Sequence, residues 1–93
     1  MEKYLNISYT MKLNNNLAIS ESGFLFNPLT GDSFILNPFG VEIFQLLKKE
    51  KTYNHILEEV TLKYDVDEAT FQRDYFDFTG FLWQFDLIEI ASE

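Results

Sequence analysis

The sequence predicts an α+β domain in which a small antiparallel sheet comes first and three helices follow. Residues 5–37 alternate apolar with polar side chains between turn residues, whereas residues 38–86 repeat their apolar side chains at helical spacing. Ninety-three residues, 46% of them hydrophobic, can bury one core but leave little room for a deep active site. The change of period near residue 37 therefore predicts the order of the elements.

Four strands are predicted in the first part of the chain. Over residues 5–13 the alternation is strict, until Asn14, Asn15 and Asn16 break it. Three shorter strands are predicted over residues 17–20, 24–27 and 33–36, with turns that contain Gly23 and Gly31 between them. Short strands joined by tight turns favour an antiparallel meander.

Each of the three helices has a start signal. Asn37 can cap the first helix, because its side-chain oxygen accepts from free amides, and Pro38 suits the first turn. Thr52 can cap the second helix and Asp67 the third, which is predicted over about residues 68–85. Residues 87–90 predict a short terminal strand or an extended tail. Three strands followed by three helices outline a winged helix-turn-helix-like fold.

The third helix carries two apolar surfaces. At 100° per residue, one set of side chains falls within a wedge of about 80° and predicts the core face. This set consists of Phe71, Tyr75, Phe78, Leu82 and Phe85. Phe76 and Trp83 lie together about 120–140° away from that wedge. Packing of Phe76 and Trp83 against the N-terminal segment or the second helix is one interpretation, and an exposed binding surface is the other.

Charge and composition exclude several classes of function. Fifteen acidic and seven basic residues give a net charge of −8, which argues against nucleic-acid and anionic-membrane partners. Cysteine is absent and His55 is the only histidine, so we expect no enzyme, no metal site and no cofactor. Because the chain shows neither a signal peptide nor a run of about 20 apolar residues, a cytoplasmic location is expected.

Exposed backbone and exposed aromatic surface remain as the candidate site. An edge strand has unpaired N–H and C=O groups that an extended peptide can pair with. If residues 33–36 form such an edge and the Phe76 and Trp83 surface lies beside it, the two form a groove. The sequence therefore predicts a peptide-binding groove between the last meander strand and the third helix.

The order and spacing of several short motifs resemble the PqqD-like family of peptide-recognition domains. The resemblance covers residues 17–89, and its motifs are Pro28-Leu29-Thr30-Gly31, Leu36-Asn37-Pro38, Ile43, Leu47, Thr52, Ile56, Tyr64-Asp65-Val66-Asp67, Asp74-Tyr75-Phe76-Asp77-Phe78, Leu82 and Leu87-Ile88. Two positions depart from the family pattern. Lys48-Lys49 replaces an Asp-Gly-like turn, and Asp86 stands where a glycine usually ends the last helix, although Asp can adopt a left-handed cap.

The resemblance implies a recognition element for ribosomally made, post-translationally modified peptides (a RiPP recognition element). This is a non-enzymatic domain that binds the leader segment of the precursor peptide. The resemblance also implies that the leader adds as a strand and is presented to a modifying enzyme, such as a radical S-adenosylmethionine enzyme, a cyclase or a protease. Residues 1–16 would then be an N-terminal strand or arm, and residues 17–90 the recognition domain. The implied peptide-binding residues are Ser33, Phe34, Ile35, Leu36, Phe76, Thr79, Gly80 and Trp83.

Two observations qualify this site. A glycine inside a helix costs about 1 kcal/mol relative to alanine, so Gly80 suggests close approach of another backbone. Phe81 lies on the other flank of the core wedge and is the candidate if the groove uses that flank.

Two alternative functions stay open. In the first, the strand over residues 5–13 occupies the groove of its own or a neighbouring chain and gives an interaction subunit or a homodimer. The second is a winged-helix transcription regulator. It is less favoured, because Arg73 is the only basic residue of a third helix rich in acidic ones.

Overall fold

The computed structural model describes residues 10–91, and its elements follow the predicted order. The strands are β1 (Thr10–Leu13), β2 (Ala18–Ile19), β3 (Phe24–Asn27), β4 (Asp32–Ile35) and β5 (Ile88–Ala91). The helices are α1 (Pro38–Lys48), α2 (Tyr53–Tyr64) and α3 (Glu68–Gln84). The predicted α+β class, a three-stranded antiparallel sheet followed by three helices, is confirmed. Residues 5–9 of the predicted opening strand lie outside the described residues.

The meander forms an antiparallel sheet in the order β2-β3-β4. In its register Phe24 lies opposite Ile35 and Leu25 opposite Phe34. Gly23, just before β3, has a φ of +97°, and a Cβ at this position would collide with the carbonyl oxygen of Leu36. Glycine is therefore required where the chain enters the central strand.

The two ends of the described chain form a second antiparallel sheet. β1 pairs with β5, with Leu13 opposite Ile88. Both of these side chains are buried in the core. The predicted terminal strand is confirmed, and this part of the predicted N-terminal arm packs with the rest of the domain.

The helix caps follow the predicted residues. The side chains of Asn37, Thr52 and Asp67 accept hydrogen bonds from amides in the first turns of α1, α2 and α3. Asp65 after α2 and Asp86 after α3 adopt left-handed φ values of 53° and 57°. Asp86 thus fills the conformation that a glycine would take most readily, as expected from the sequence.

One face of α3 forms the centre of the core, although only part of the predicted core face is buried. Phe71, Tyr75 and Leu82 are at most 2% exposed and pack with buried side chains of the sheet, α1 and α2. The assignment of Phe85 to the core is wrong, because Phe85 is 39% exposed, whereas Phe78 is partly buried and packs against the core from its edge. These two residues lie on the flank of α3 that faces β4, where the sheet ends and no further strand covers them among residues 10–91.

Candidate functional site

The backbone of β4 alternates between a paired and an unpaired side. The N–H of Leu36 donates to the carbonyl oxygen of Gly23 at 2.7 Å, and the N–H of Ser20 donates to that of Phe24 at 3.0 Å. Odd-numbered residues of β3 therefore bond to β4, and even-numbered residues bond to β2.

Because of this alternation, two residues of β4 have backbone N–H and C=O groups that point away from β3. Phe34 lies opposite Leu25 and uses its N–H and C=O within the sheet, so Ser33 and Ile35 direct theirs to the other side. Within residues 10–91 no strand pairs with that side of β4. The edge therefore offers two N–H donors and two C=O acceptors to an added strand.

A cluster of four phenylalanines lies beside this edge. The ring centroids of Phe34 and Phe81 are 5.2 Å apart in an edge-to-face arrangement, and those of Phe34 and Phe85 are 5.0 Å apart. Phe81 is in turn 6.0 Å from Phe78 and 5.4 Å from Phe85. We call Phe34, Phe78, Phe81 and Phe85 the aromatic wall. It joins the inner face of β4 to the adjacent flank of α3.

The far end of the aromatic wall packs against the start of α1. A Cβ built on Gly40 would lie 3.1 Å from the Cε1 atom of Phe78, so the absence of a side chain allows the two helices to approach closely here. Next to this contact is a cavity of about 330 Å³, lined by Asn37, Phe39, Asp74, Asp77 and Phe78. The groove thus continues past β4 into a recess between α1 and α3.

The elements that form the groove are acidic. The only basic residue in β4 and α3 is Arg73, and its Nε lies 3.5 Å from a carboxylate oxygen of Asp74. Asp77 lies in the same recess without a basic residue among its lining. A bound segment that carries Lys or Arg would therefore complement the charge of this region.

The predicted juxtaposition of Phe76 with β4 is wrong. Phe76 lies on the opposite flank of α3 and stacks on Tyr53 of α2, with ring centroids 5.8 Å apart and planes inclined by 9°. The interpretation that Phe76 packs against the second helix is the one that the structure supports. Tyr75 lies next to this contact, and its burial raises the pKa of its phenol, with a smaller contribution from Tyr53.

Two further predicted site residues are buried. Thr79 is 3% exposed and its hydroxyl donates to the carbonyl oxygen of Phe76, one turn earlier in the helix. Leu36 is 8% exposed, follows the end of β4, and directs its N–H to Gly23. Both side chains are buried and not exposed on the groove surface, and a contribution of either residue to peptide binding stays a prediction.

Trp83 and Gly80 lie on the surface of α3 but away from the aromatic wall. Trp83 is 41% exposed and is two turns along the helix from Phe76, about 160° around the axis from Phe81. A Cβ at Gly80 would meet no atom within 4 Å, so no close approach within the described chain accounts for this glycine. A contact of either residue with a peptide stays a prediction.

Phe78 and Phe85 were not among the predicted site residues, and Phe81 was only the alternative candidate. Phe78, Phe81 and Phe85 are spaced i, i+3 and i+7, which is the spacing of one helix flank. This spacing could have identified a third apolar stripe on α3. It could not have shown which stripe faces β4, since that depends on how α3 packs on the sheet.

Among residues 10–91 no three His, Cys, Asp or Glu side chains are grouped so that they could hold a metal ion. His55 is exposed and its Nε2 lies 3.7 Å from a carboxylate oxygen of Glu59. None of the helices in this part of the chain has the length and apolar character needed to cross a membrane.

Comparisons with known proteins relate this arrangement to a family. Residues 23–88 match the family described as "Coenzyme PQQ synthesis protein D (PqqD)". The solved structure "TbiB1 in Complex with the TbiA(beta) Leader Peptide" is similar to this chain, with a TM-score of 0.76 and 28% sequence identity. The similarity covers 88% of this chain and 99% of that one. A search of curated proteins returns no match.

Proposed function

The chain belongs to the PqqD family, and on that basis we propose that it is a RiPP recognition element without catalytic activity. In this proposal it binds the leader segment of a ribosomally made precursor peptide by strand addition. It then holds the precursor where a modifying enzyme can act on it. The structurally similar TbiB1 was solved with a leader peptide, which supports a peptide as the ligand.

The observation that carries the proposal is the unpaired side of β4 next to the aromatic wall. Backbone bonds to Ser33 and Ile35 would fix the register of a docked strand. Its side chains on the inner face would bury against Phe34, Phe81 and Phe85. Each apolar side chain buried in this way contributes roughly 1.5–3 kcal/mol before ordering costs are subtracted.

The proposed groove differs from the predicted one in its helical side. It keeps Ser33, Phe34 and Ile35 and replaces Phe76 and Thr79 with the aromatic wall of the opposite flank. The acidic recess beside the aromatic wall favours a leader with Lys or Arg residues, and binding should therefore weaken as salt increases.

The proposed protein partner is a modifying enzyme, for which a radical S-adenosylmethionine enzyme, a cyclase and a protease are the candidates. The alternative of a homodimer or an interaction subunit needs the N-terminal strand in the groove. In the described part of that strand, residues 10–13 pair with β5 and not with β4. Strand addition by a separate peptide is therefore the function that we favour.

Titration with labelled peptides tests the proposal. The probes are fluorescein-labelled peptides that cover the N-terminal segments of short reading frames next to this gene, together with the TbiA(beta) leader. We expect saturable binding of at least one probe, measured by fluorescence anisotropy. Ser33→Pro should abolish this binding, because proline removes an outward N–H donor.

Ser33→Ala is the matched control, since it keeps the N–H and removes only the hydroxyl. It should bind the probe like the wild type. Circular dichroism should show that both variants are folded, as proline is tolerated on an edge strand. Equal affinity of the two variants, or no binding of any probe to the wild type, would contradict the proposal.

A further inference from the structure

We propose that β4 recognises its ligand on both faces of the sheet, so that the bound segment places an apolar residue against Ile35 as well as an anchor on the aromatic wall. This inference rests on the proposed function. It adds a requirement on the ligand, namely two adjacent apolar residues of which one faces away from α3.

Successive side chains of β4 alternate between the two faces of the sheet. Phe34 lies opposite the fully buried Leu25, and both side chains are on the inner face towards α3. Ser33 and Ile35 must then be on the outer face, because successive side chains of a strand point to opposite sides. The same two residues carry the outward-pointing backbone groups.

The outer face is apolar where it meets the free edge. Ile35 is 76% exposed, and Phe24, its partner across the β3–β4 pair, is 46% exposed. Single exposed apolar side chains are common on protein surfaces. Here Phe24 and Ile35 are directly paired across β3 and β4. Ile35 lies on β4, the strand to which the ligand would add.

An added strand would give Ile35 a second cross-strand neighbour. If ligand residue n lies opposite Phe34, residues n−1 and n+1 lie opposite Ser33 and Ile35 on the outer face, in an order set by the strand direction. The residue beside Ile35 completes an apolar row with Phe24, whereas the residue beside Ser33 faces a small polar side chain. The expected ligand therefore has an apolar residue n, the anchor on the aromatic wall, and one apolar neighbour beside Ile35. For a given strand direction this neighbour is always n−1 or always n+1.

A selection experiment tests this pattern. The probe is a library of short random linear peptides displayed on phage, selected separately on the wild type and on Ile35→Lys. The wild type should enrich an apolar anchor with an apolar residue on one side. Ile35→Lys should retain the anchor and shift the neighbouring position to Asp or Glu by about two- to five-fold, the range expected for cross-strand pairs.

Leu62→Lys is the matched control. Leu62 is 79% exposed, close to the exposure of Ile35, and lies on α2, where it lines a separate cavity between α1 and α2. The control adds the same charge and should leave the selected pattern unchanged. The side on which Asp or Glu appears will also report whether the ligand runs parallel or antiparallel to β4.

The outcomes separate this inference from the proposed function. If the wild type enriches no anchor pattern, the proposed function itself fails. If the wild type and Ile35→Lys enrich the same anchor with the same neighbour preference, the groove binds peptide but the outer face does not contribute, and the inference is overturned. An equal shift with Leu62→Lys would assign the effect to net charge and would overturn it as well.

Discussion

The two flanks of α3 carry similar aromatic side chains but have different surroundings. On one flank Phe76 stacks on Tyr53, and α2 covers the contact. On the other flank Phe81 and Phe85 meet Phe34 at the last strand of the sheet, and beyond it lies no further strand among the described residues. We call these the closed flank and the open flank.

The difference shows that an aromatic stripe is not assigned to core or surface by its own composition. Each flank is apolar enough to be buried. On the closed flank α2 covers Phe76, which is partly buried, whereas on the open flank Phe85 stays 39% exposed because the sheet ends after three strands. The open flank therefore keeps both apolar area and backbone hydrogen-bonding groups available to a peptide.

The largest expected effect is on the buried centre beside the closed flank. Phe71 is fully buried, and its ring centroid lies 5.5 Å from that of Tyr75 and 5.9 Å from that of Tyr53. Phe71→Ala should lower the free energy of unfolding by about 3–5 kcal/mol, because it leaves a cavity in the core. Urea denaturation measures this loss. A loss below about 1 kcal/mol would show that the face of α3 with Phe71 is not the packed centre of the domain.

The next largest effect is on peptide binding at the open flank. Phe81→Ala should weaken the affinity for a bound leader probe by about 10- to 100-fold, as expected for the loss of one buried apolar contact. Trp83→Ala is the matched variant on the same helix and should change the affinity by less than about two-fold, as its side chain lies away from β4. Anisotropy titrations measure both. The reverse ranking would place the groove on the flank predicted from the sequence.

Alkaline pH should affect the closed flank through Tyr75, whose phenol pKa is raised by burial. Tyr75 adds no pH dependence to the free energy of unfolding well below pH 10, where its phenol is neutral in both states. Above that pH the phenol ionises in the unfolded chain but not in the fold, so stability should fall by about 1.4 kcal/mol per pH unit until the folded pKa is reached.

Tyr75→Phe removes this titration. Urea denaturation between pH 9 and 12 should therefore show a shallower decline for the variant than for the wild type. Stability near pH 8 serves as the control, because any packing difference between the two side chains is already present there. Parallel declines would mean that Tyr75 is not the group responsible.

The smallest expected effect is at the end of α3, just after the aromatic wall. Asp86 has a φ of 57°, which glycine adopts with less strain, so Asp86→Gly should raise the free energy of unfolding by about 0.5–1 kcal/mol. Asp86→Ala should instead lower it, since alanine has neither glycine's freedom nor the local hydrogen bonding of Asp. Thermal denaturation compares the two. Peptide affinity should stay the same in both variants.

Much of the fold followed from local signals. The side chains of Asn37, Thr52 and Asp67 start the helices at the predicted places, because a cap involves residues only three positions apart. The three short strands follow from alternation and turn residues for the same reason. Phe85 was wrongly assigned to the core and Phe78 lies only at its edge, because helical periodicity gives the angle between side chains and not the width of the surface that covers them.

The candidate site was predicted only in part. The proposed groove uses the predicted strand and helix, and its flank of α3 is the one for which Phe81 was the alternative candidate; peptide binding by strand addition stays a prediction. Phe76 and Trp83 stood out in the sequence as a separate apolar pair, but Tyr53 of α2 covers Phe76. The aromatic wall became apparent only from the contacts of Phe34.

The sequence by itself determined the order of strands and helices, the points where helices begin and the acidic, cysteine-free character of the chain. These properties depend on neighbouring residues or on composition alone. The tertiary structure decided which flank of α3 stays open, which backbone groups of β4 point outward and which pair of strands the chain ends form. These depend on the position of α3 across the sheet and on the register of β3 with β4, which contacts between residues distant in the chain establish.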